Sequence, residues 1–300
     1  MAQSIVGLSL DDAKARVLAR AEESRVAGTA LVTALEMVTQ RRLLETNGSV
    51  RLPLLTAFGS ETPDAIAEEV EARLVDGFRT FKIKVGKDVD ADIARVREIQ
   101  RAVNGRATLR IDANRAYSRT DGCRFAVNLD ASGVELFEQP CDADDWDANA
   151  AVAAVSTVPL ILDEPICSFA DVDRAATIPG VGLCKVKLKR FGSLEALAAV
   201  IRHIKKCGLQ AVLGDGLGAE LNCWMEARVA YGLIDNAGEF NGYLKIRPED
   251  RLLKTPLPFD AGTLTLSPGW WPEMDLDRLK AHCLAQVRFA VGDAAPRQAR

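Results

Sequence analysis

From residue 51 onward, short apolar runs alternate with longer amphipathic stretches, and this alternation constrains the fold more than any other feature. The short runs are RLPLLTAF (51–58), RTFKIKV (79–85), ATLRIDA (107–113), GVELFEQ (133–139), VPLILDE (158–164), VGLCKVKL (181–188), LQAVLGD (209–215) and IDNAGEF (234–240). Their starts recur every 23–28 residues. The stretches between them, such as DADIARVREIQRAVN (90–104) and SLEALAAVIRHIKKCG (193–208), carry helical periodicity. Strands separated by helices are parallel and joined by crossovers. Eight such strands predict an α/β fold of the TIM-like (β/α)7β barrel type, with an open doubly wound sheet as the alternative.

The flanks divide the chain further. Residues 1–50 read as a mainly helical segment, 51–254 as the barrel, and 255–300 as a segment returning to the N-terminal one. SLDDAKARVLARAEE (9–23) places Ser9 as an N-cap before acidic residues in the first turn. TALVTALEMVTQRRLLE (29–45) predicts a second helix after Gly28, and DLDRLKAHCLAQVRF (275–289) a last one. The tail AAPRQAR (294–300) reads as disordered.

Composition narrows the partners. A net charge of −4 and a pI near 5.5 give no basic field for nucleic acid and no patch for an anionic membrane. The N-terminus MAQSIVGLSL lacks the pattern of a signal peptide, and no apolar run has the length of a membrane span. The seven cysteines are scattered and contain no CxxC. They read as reduced thiols of a cytoplasmic protein rather than a disulfide framework or a zinc site.

The polar residues of the strands carry the chemistry. Side chains alternate along a strand, so Phe81, Ile83 and Val85 share the helix-facing side while Lys82 and Lys84 point into the barrel. Three later strands end in carboxylates: Asp112, Glu138 and Asp163. At one end of consecutive strands these acids converge and repel, which a hard divalent cation with oxygen ligands relieves. Mg²⁺ fits best, with Mn²⁺ as its substitute. The C-terminal strand ends are also where such barrels place active sites. Lys185, Lys187 and Lys189 share one face of the sixth run, four strands from Lys82 and Lys84 and therefore opposite them. This layout suits removal of a proton on one face of a substrate and delivery or charge stabilisation on the other. A lysine acts as base when its pKa is pulled down, and Lys82 beside Lys84 supplies a like charge for that.

At these residues the sequence resembles the enolase superfamily, and within it the muconate lactonizing enzyme subgroup of the mandelate racemase/muconate lactonizing enzyme family. The matching pieces are K-I-K at 82–84, D-A-N at 112–114, E-Q-P at 138–140, D-E-P at 163–165 and K-L-K-R-F-G at 187–192, in order across residues 30–290. The resemblance implies that Asp112, Glu138 and Asp163 bind Mg²⁺, which stabilises an enediolate formed by removing the proton α to a carboxylate. It implies Lys84 and Lys187 as the acid/base pair, supported by Lys82, with Asn114 beside the metal ligands and Glu239 as an acidic substrate or catalytic contact. A histidine-based variant of the chemistry is disfavoured, because His203 and His282 both fall in predicted helices. The implied enzyme is an isomerase acting on a small carboxylate: a racemase or epimerase of an amino-acid derivative. A cycloisomerase or a succinylbenzoate-synthase-like lyase is the alternative.

Members of that family begin with an α+β capping domain, whereas only some fifty residues precede the first strand here, and they read as helical. The expectation is a reduced cap, whether through natural shortening, a start at an internal methionine, or an inactive truncated barrel. A reduced cap leaves the site wetter and exposes apolar surface, which favours a homo-oligomer. SPGWWPEMD (267–275) either covers part of the barrel mouth or packs through Trp270 and Trp271. GDGLG (214–218) offers a phosphate loop or an ordinary turn, and Asp215 and Glu220 either a substrate contact or a helix N-terminus.

Overall fold

The computed structural model describes residues 1–39, 41–45, 48–214 and 216–290, so Asp215 and the tail 294–300 lie outside the described residues. Helices α1 (Leu10–Leu18), α2 (Arg25–Thr39) and α3 (Arg41–Leu44) precede strands β1 (Val50–Pro53) and β2 (Thr56–Phe58). Then come α4 (Pro63–Val75), β3 (Thr80–Lys84), α5 (Val89–Val103), β4 (Thr108–Asp112), α6 (Arg119–Asn128) and β5 (Val134–Glu138). Next are α7 (Trp146–Val155), β6 (Leu160–Leu162), α8 (Phe169–Ala176) and β7 (Val181–Val186). The chain continues through α9 (Leu188–Phe191), α10 (Leu194–Lys206), β8 (Gln210–Leu213) and α11 (Glu220–Ala230) to β9 (Phe259–Asp260), β10 (Thr263–Leu266) and α12 (Leu276–Ala281).

Strands β2 to β8 form one parallel sheet in sequence order. The eighth run closes it without forming a named strand. Glu239 N donates to Leu213 O at 2.9 Å on one side; Gly238 N donates to Pro53 O at 2.9 Å and Leu55 N to Gly238 O at 3.0 Å on the other. The result is the (β/α)7β barrel that the periodicity predicts. Closure needs Gly214, which has φ +144° and on which a Cβ would lie 2.3 Å from the Glu239 carbonyl carbon.

Alternation along the strands builds two cores. Phe81, Ile83, Leu109, Ile111, Phe137, Leu160, Leu162, Cys184, Val186 and Leu213 face the helices in a continuous apolar shell. Leu136, Ile161, Leu183 and Val212 form a small plug inside the ring. Charged residues fill much of the rest of the interior. Below the mouth, Arg110 Nε donates to Glu135 Oε2 at 2.6 Å and its Nη1 to Ala237 O at 2.9 Å.

Several local expectations are corrected. The run 51–58 is split: β1 pairs antiparallel with β10, which pairs with β9, while β2 joins the ring. The one-sided burial of β1, with Val50 and Leu52 inside and Arg51 and Pro53 outside, suits a small sheet rather than a ring buried on both faces. Helix α2 starts before Gly28, because Ser24 Oγ accepts the Ala27 N–H at 3.3 Å and caps the chain earlier. The last helix stops at Ala281; Leu284 and Val287 are exposed, so no apolar stripe supports a longer one. Ser9 caps α1 as expected.

The N-terminal helices dock on the barrel through buried Glu36 of α2. Its carboxylate accepts Leu194 N at 2.7 Å, at the start of α10, and Lys14 Nζ of α1 at 2.8 Å. Trp271 packs edge-on against Trp224 of α11 at 4.9 Å between ring centroids, and the Trp270 carbonyl accepts Arg228 Nη2 at 2.7 Å, so this segment anchors the C-terminal chain. Glu220 does likewise: its Oε2 accepts Leu252 N and Leu253 N at 3.0 and 3.2 Å. No helix among the described residues is long and apolar enough to cross a membrane.

Candidate active site

The ring brings the polar residues to one end. Lys84, Asp112 and Glu138 are register partners at the ends of β3, β4 and β5, and Asp163 lies two residues past Ile161, the β6 partner of Glu138. Lys187 follows the last residue of β7. Strands β3 and β7 hold the second and sixth positions of the ring, so Lys84 and Lys187 stand on opposite sides. All of these except Glu138 line a mouth cavity of about 290 Å³, together with Lys82, Lys185, Glu239 and Asn114.

Two tiers of ion pairs organise the site. In the lower tier, Lys82 Nζ donates to Asp112 Oδ2 at 2.8 Å, Glu138 Oε2 at 2.9 Å and Glu239 Oε1 at 2.7 Å. Lys185 Nζ donates to Glu138 Oε1 at 2.8 Å and also contacts Glu239 Oε2. In the upper tier, Lys84 Nζ donates to Asp112 Oδ2 at 2.5 Å and contacts Asn114 Oδ1. Lys187 Nζ donates to Asp163 Oδ2 and Arg190 Nη2 to Asp163 Oδ1, both at 2.8 Å. Lys84 remains half exposed, whereas Lys82 and Lys185 are buried.

Charge pairing decides protonation in the lower tier. Burial opposes the charged form of Lys82, but Glu138, Glu239 and Asp112 outweigh it and hold its pKa well above the lysine range. Lys185 is raised in the same way by Glu138 and Glu239 against its burial. Burial pushes Glu138 and Glu239 up, and the two lysines more than reverse this, so both carboxyls fall below the ordinary range. Asp163 is also lowered, by Lys185, Lys187 and Arg190 against burial and Glu138. Lys82 therefore stays a fixed positive charge beside Lys84.

Backbone and side-chain contacts hold the acids in place. Asn114, at φ +45°, donates its N–H to Asp112 Oδ1 at 2.9 Å. Gln139, at φ +38°, accepts the Asp163 N–H on Oε1 at 2.9 Å and donates Nε2 to Cys141 O at 3.0 Å. The donor set of Asp112, Glu138 and Asp163 is all-oxygen and buried, which is the chemistry a hard divalent cation takes. Among the described residues these three carboxylates do not all bring an oxygen within 4.8 Å of the other two. Each is held by ammonium or guanidinium groups, so a cation would enter by exchanging with them.

Sequence reading placed Lys189 on the strand face, but the chain leaves β7 after Val186 and α9 carries Lys189 away from the cavity. Two contributors were missed, and a third, Lys185, was placed on the inner face without a partner. Arg190 is a second partner of Asp163, Lys185 links the two central glutamates, and Lys245 lines the wall with its Nζ on Gly216 O at 2.6 Å. The first two are visible in K-V-K-L-K-R only once the end of the strand is known.

Comparison with known proteins places this geometry. The family model described as enolase C-terminal domain-like matches residues 65–277. The chain belongs to this family. It is 29% identical to the L-Ala-D/L-Glu epimerase of Clostridium acetobutylicum, over 76% of this chain and 64% of that protein. It is 27% identical to muconate cycloisomerase 1 of Acinetobacter baylyi, over 86% of this chain and 72% of that one. A solved mandelate racemase/muconate lactonizing protein from Herpetosiphon aurantiacus superposes with a TM-score of 0.77 at 26% identity, over 86% of this chain and 76% of that one. Against the amino-acid epimerases and racemase first matched, the chain spans 47–64% of the relative's own length.

Proposed function

We propose that this chain is an isomerase that inverts the carbon α to a carboxylate in a small amino-acid derivative. The observation carrying this reading is the placement of Lys84 and Lys187 at opposite ring positions of one cavity, with Asp112 and Asp163 as their partners. With the substrate between them, one lysine as free amine takes the α-proton while the other, as ammonium, gives a proton to the opposite face. The roles exchange for substrate of the other hand, so one pair serves both directions. Lys82, kept charged by its three carboxylates, places a fixed positive charge beside Lys84. Glu239 and Lys185 fix Lys82 and Glu138 in place.

Asp112, Glu138 and Asp163 are the residues that would hold Mg²⁺, or Mn²⁺ in its place. Such an ion, when bound, offsets the negative charge that develops on the substrate carboxylate as the proton leaves. Lys245 and Asn241 on the cavity wall offer polar contacts to the remainder of a substrate. A second reading, cycloisomerisation, is supported by the likeness to muconate cycloisomerase 1; in it one lysine moves the proton and the other stabilises charge. A dehydratase would use the same pair.

The test is incubation with Mg²⁺ in heavy water against a panel of dipeptides and N-acyl amino acids. Inversion places deuterium on the α-carbon of recovered substrate and generates the opposite hand. A rearranged or dehydrated product supports the second reading. No exchange across the panel, with Mg²⁺ bound, counts against both and favours an inactive barrel.

A further inference from the structure

The geometry points to a transition-metal site of the zinc type on the outer face of the barrel, formed by Asp173, His203 and Cys207. Asp173 lies on α8, His203 in the last turn of α10, and Cys207 is the C-cap residue that follows that helix. Among the described residues these three are the cluster whose ligand atoms all fall within 4.8 Å of one another. Cys207 Sγ is 3.6 Å from His203 Nε2 and 3.6 Å from Asp173 Oδ1, and His203 Nε2 is 2.6 Å from Asp173 Oδ1.

Those lengths can be compared with a zinc tetrahedron. Zn–S bonds of about 2.3 Å and Zn–N or Zn–O bonds of about 2.0–2.2 Å set the S···N and S···O edges at about 3.5 Å and the N···O edge at about 3.4 Å. The two sulfur edges already match. The third is a hydrogen bond that must open by roughly 0.8 Å, and the exposed Asp173 side chain has the freedom to do so. Packing of the His203 ring on Phe169, 5.1 Å between centroids, holds the imidazole edge toward the other two ligands.

The electrostatics also close. A divalent ion with one thiolate, one carboxylate and one neutral imidazole has no net charge, and the fourth position is left to water. Without an ion, burial and then the Asp173 carboxylate raise the Cys207 thiol above its ordinary pKa and keep it protonated. Binding therefore expels the thiol proton and breaks the His203–Asp173 hydrogen bond, the neutral imidazole then carrying its proton on Nδ1. The bound ion would staple α8 to α10. Sequence reading treated the cysteines as reduced thiols and His203 as a helix residue outside the chemistry, because Asp173 lies thirty positions before its histidine partner.

The experiment is titration of the metal-free full chain with Co²⁺, followed by thiolate-to-cobalt charge-transfer absorption in the near ultraviolet. The expected result is one saturating equivalent, absent in Cys207→Ser, weakened roughly tenfold or more in His203→Ala and Asp173→Asn, and unchanged in Cys167→Ser. Zn²⁺ added afterwards erases the band. It also raises the melting temperature of the wild-type chain but not of Cys207→Ser. Mg²⁺ at the barrel mouth gives no such band, so this readout is independent of the isomerase reading. Absence of the band at saturating Co²⁺, or a band that persists in Cys207→Ser, overturns the site. Asp173→Asn leaves α10 untouched and guards against a loss that reflects only a damaged helix.

Discussion

Lys82 and Lys84 donate to the same atom, Asp112 Oδ2, at 2.8 and 2.5 Å. One is buried among three carboxylates and the other is half exposed at the cavity. A single carboxylate oxygen thus holds two like charges side by side, and any change at Asp112 is felt by the lysine that lines the cavity.

That arrangement makes the two faces separable. Lys187→Ala should abolish net inversion yet leave the fold intact, because Arg190 still pairs with Asp163. Loss of a positioned acid or base costs about 10²–10⁴-fold in rate. Each single variant, Lys84→Ala or Lys187→Ala, should still exchange deuterium into substrate of the one hand served by its remaining lysine. Chiral chromatography with mass detection reads this, and equal exchange into both hands by either variant would contradict the assignment.

Metal dependence is checked by calorimetry. Mg²⁺ should bind saturably to the wild-type chain and to Lys187→Ala, and not to Asp163→Asn. The asparagine variant keeps the shape of the side chain while removing its charge, and Gln139 still accepts the Asp163 backbone N–H. An unchanged isotherm in Asp163→Asn would remove that residue from the ligand set.

The buried tier predicts a stability effect. Glu239→Gln leaves Lys185 with Glu138 as its remaining hydrogen-bonded carboxylate and strips one of three from Lys82. Breaking a buried pair on one side costs about 3 kcal/mol or more, because a charge is left uncompensated. Adding Lys185→Met should restore part of that loss, since the buried ammonium that has lost one of its two carboxylates is then gone. Urea unfolding of the two variants measures it; a loss under about 1 kcal/mol in the single variant would mean that water reaches the tier.

The barrel was legible because its strands keep one side chain in two facing the helices, so Phe81, Ile83 and Val85 announce the outside and Lys82 the inside. The rim was legible because Asp112, Glu138 and Asp163 each end such a run. What pairs with what was not legible. Strand period alone could not say that Lys185 sits inside with Glu138 while Lys189 leaves on α9, since the switch from strand to helix occurs within K-V-K-L-K-R. The closing run 234–240 was found by its apolar pattern, yet its hydrogen bonds depend on Gly214, whose role emerges only when Glu239 is beside it. The split of 51–58 follows from a partner, β10, more than two hundred residues away.

The buried thiols give a pH dependence with a definite sign. Cys184, on the helix-facing side of β7, is pushed up to about 12 by burial and then by Cys207, from an ordinary value of 9.0. Cys141 is pushed up to about 12 by burial and then by Asp145. In the unfolded chain these thiols ionise near 9, while the folded chain keeps their protons until about 12. Between those values the unfolded state binds fewer protons, so stability falls as pH rises through this window. For a fully buried thiol such as Cys184 the slope approaches about 1.4 kcal/mol per pH unit. Urea unfolding at pH 8, 9 and 10 should show the decline, and Cys184→Ala should make it shallower while lowering stability at pH 8 by its own cavity. An alkaline limb of the same slope in that variant would show that Cys184 ionises as readily in the fold as out of it.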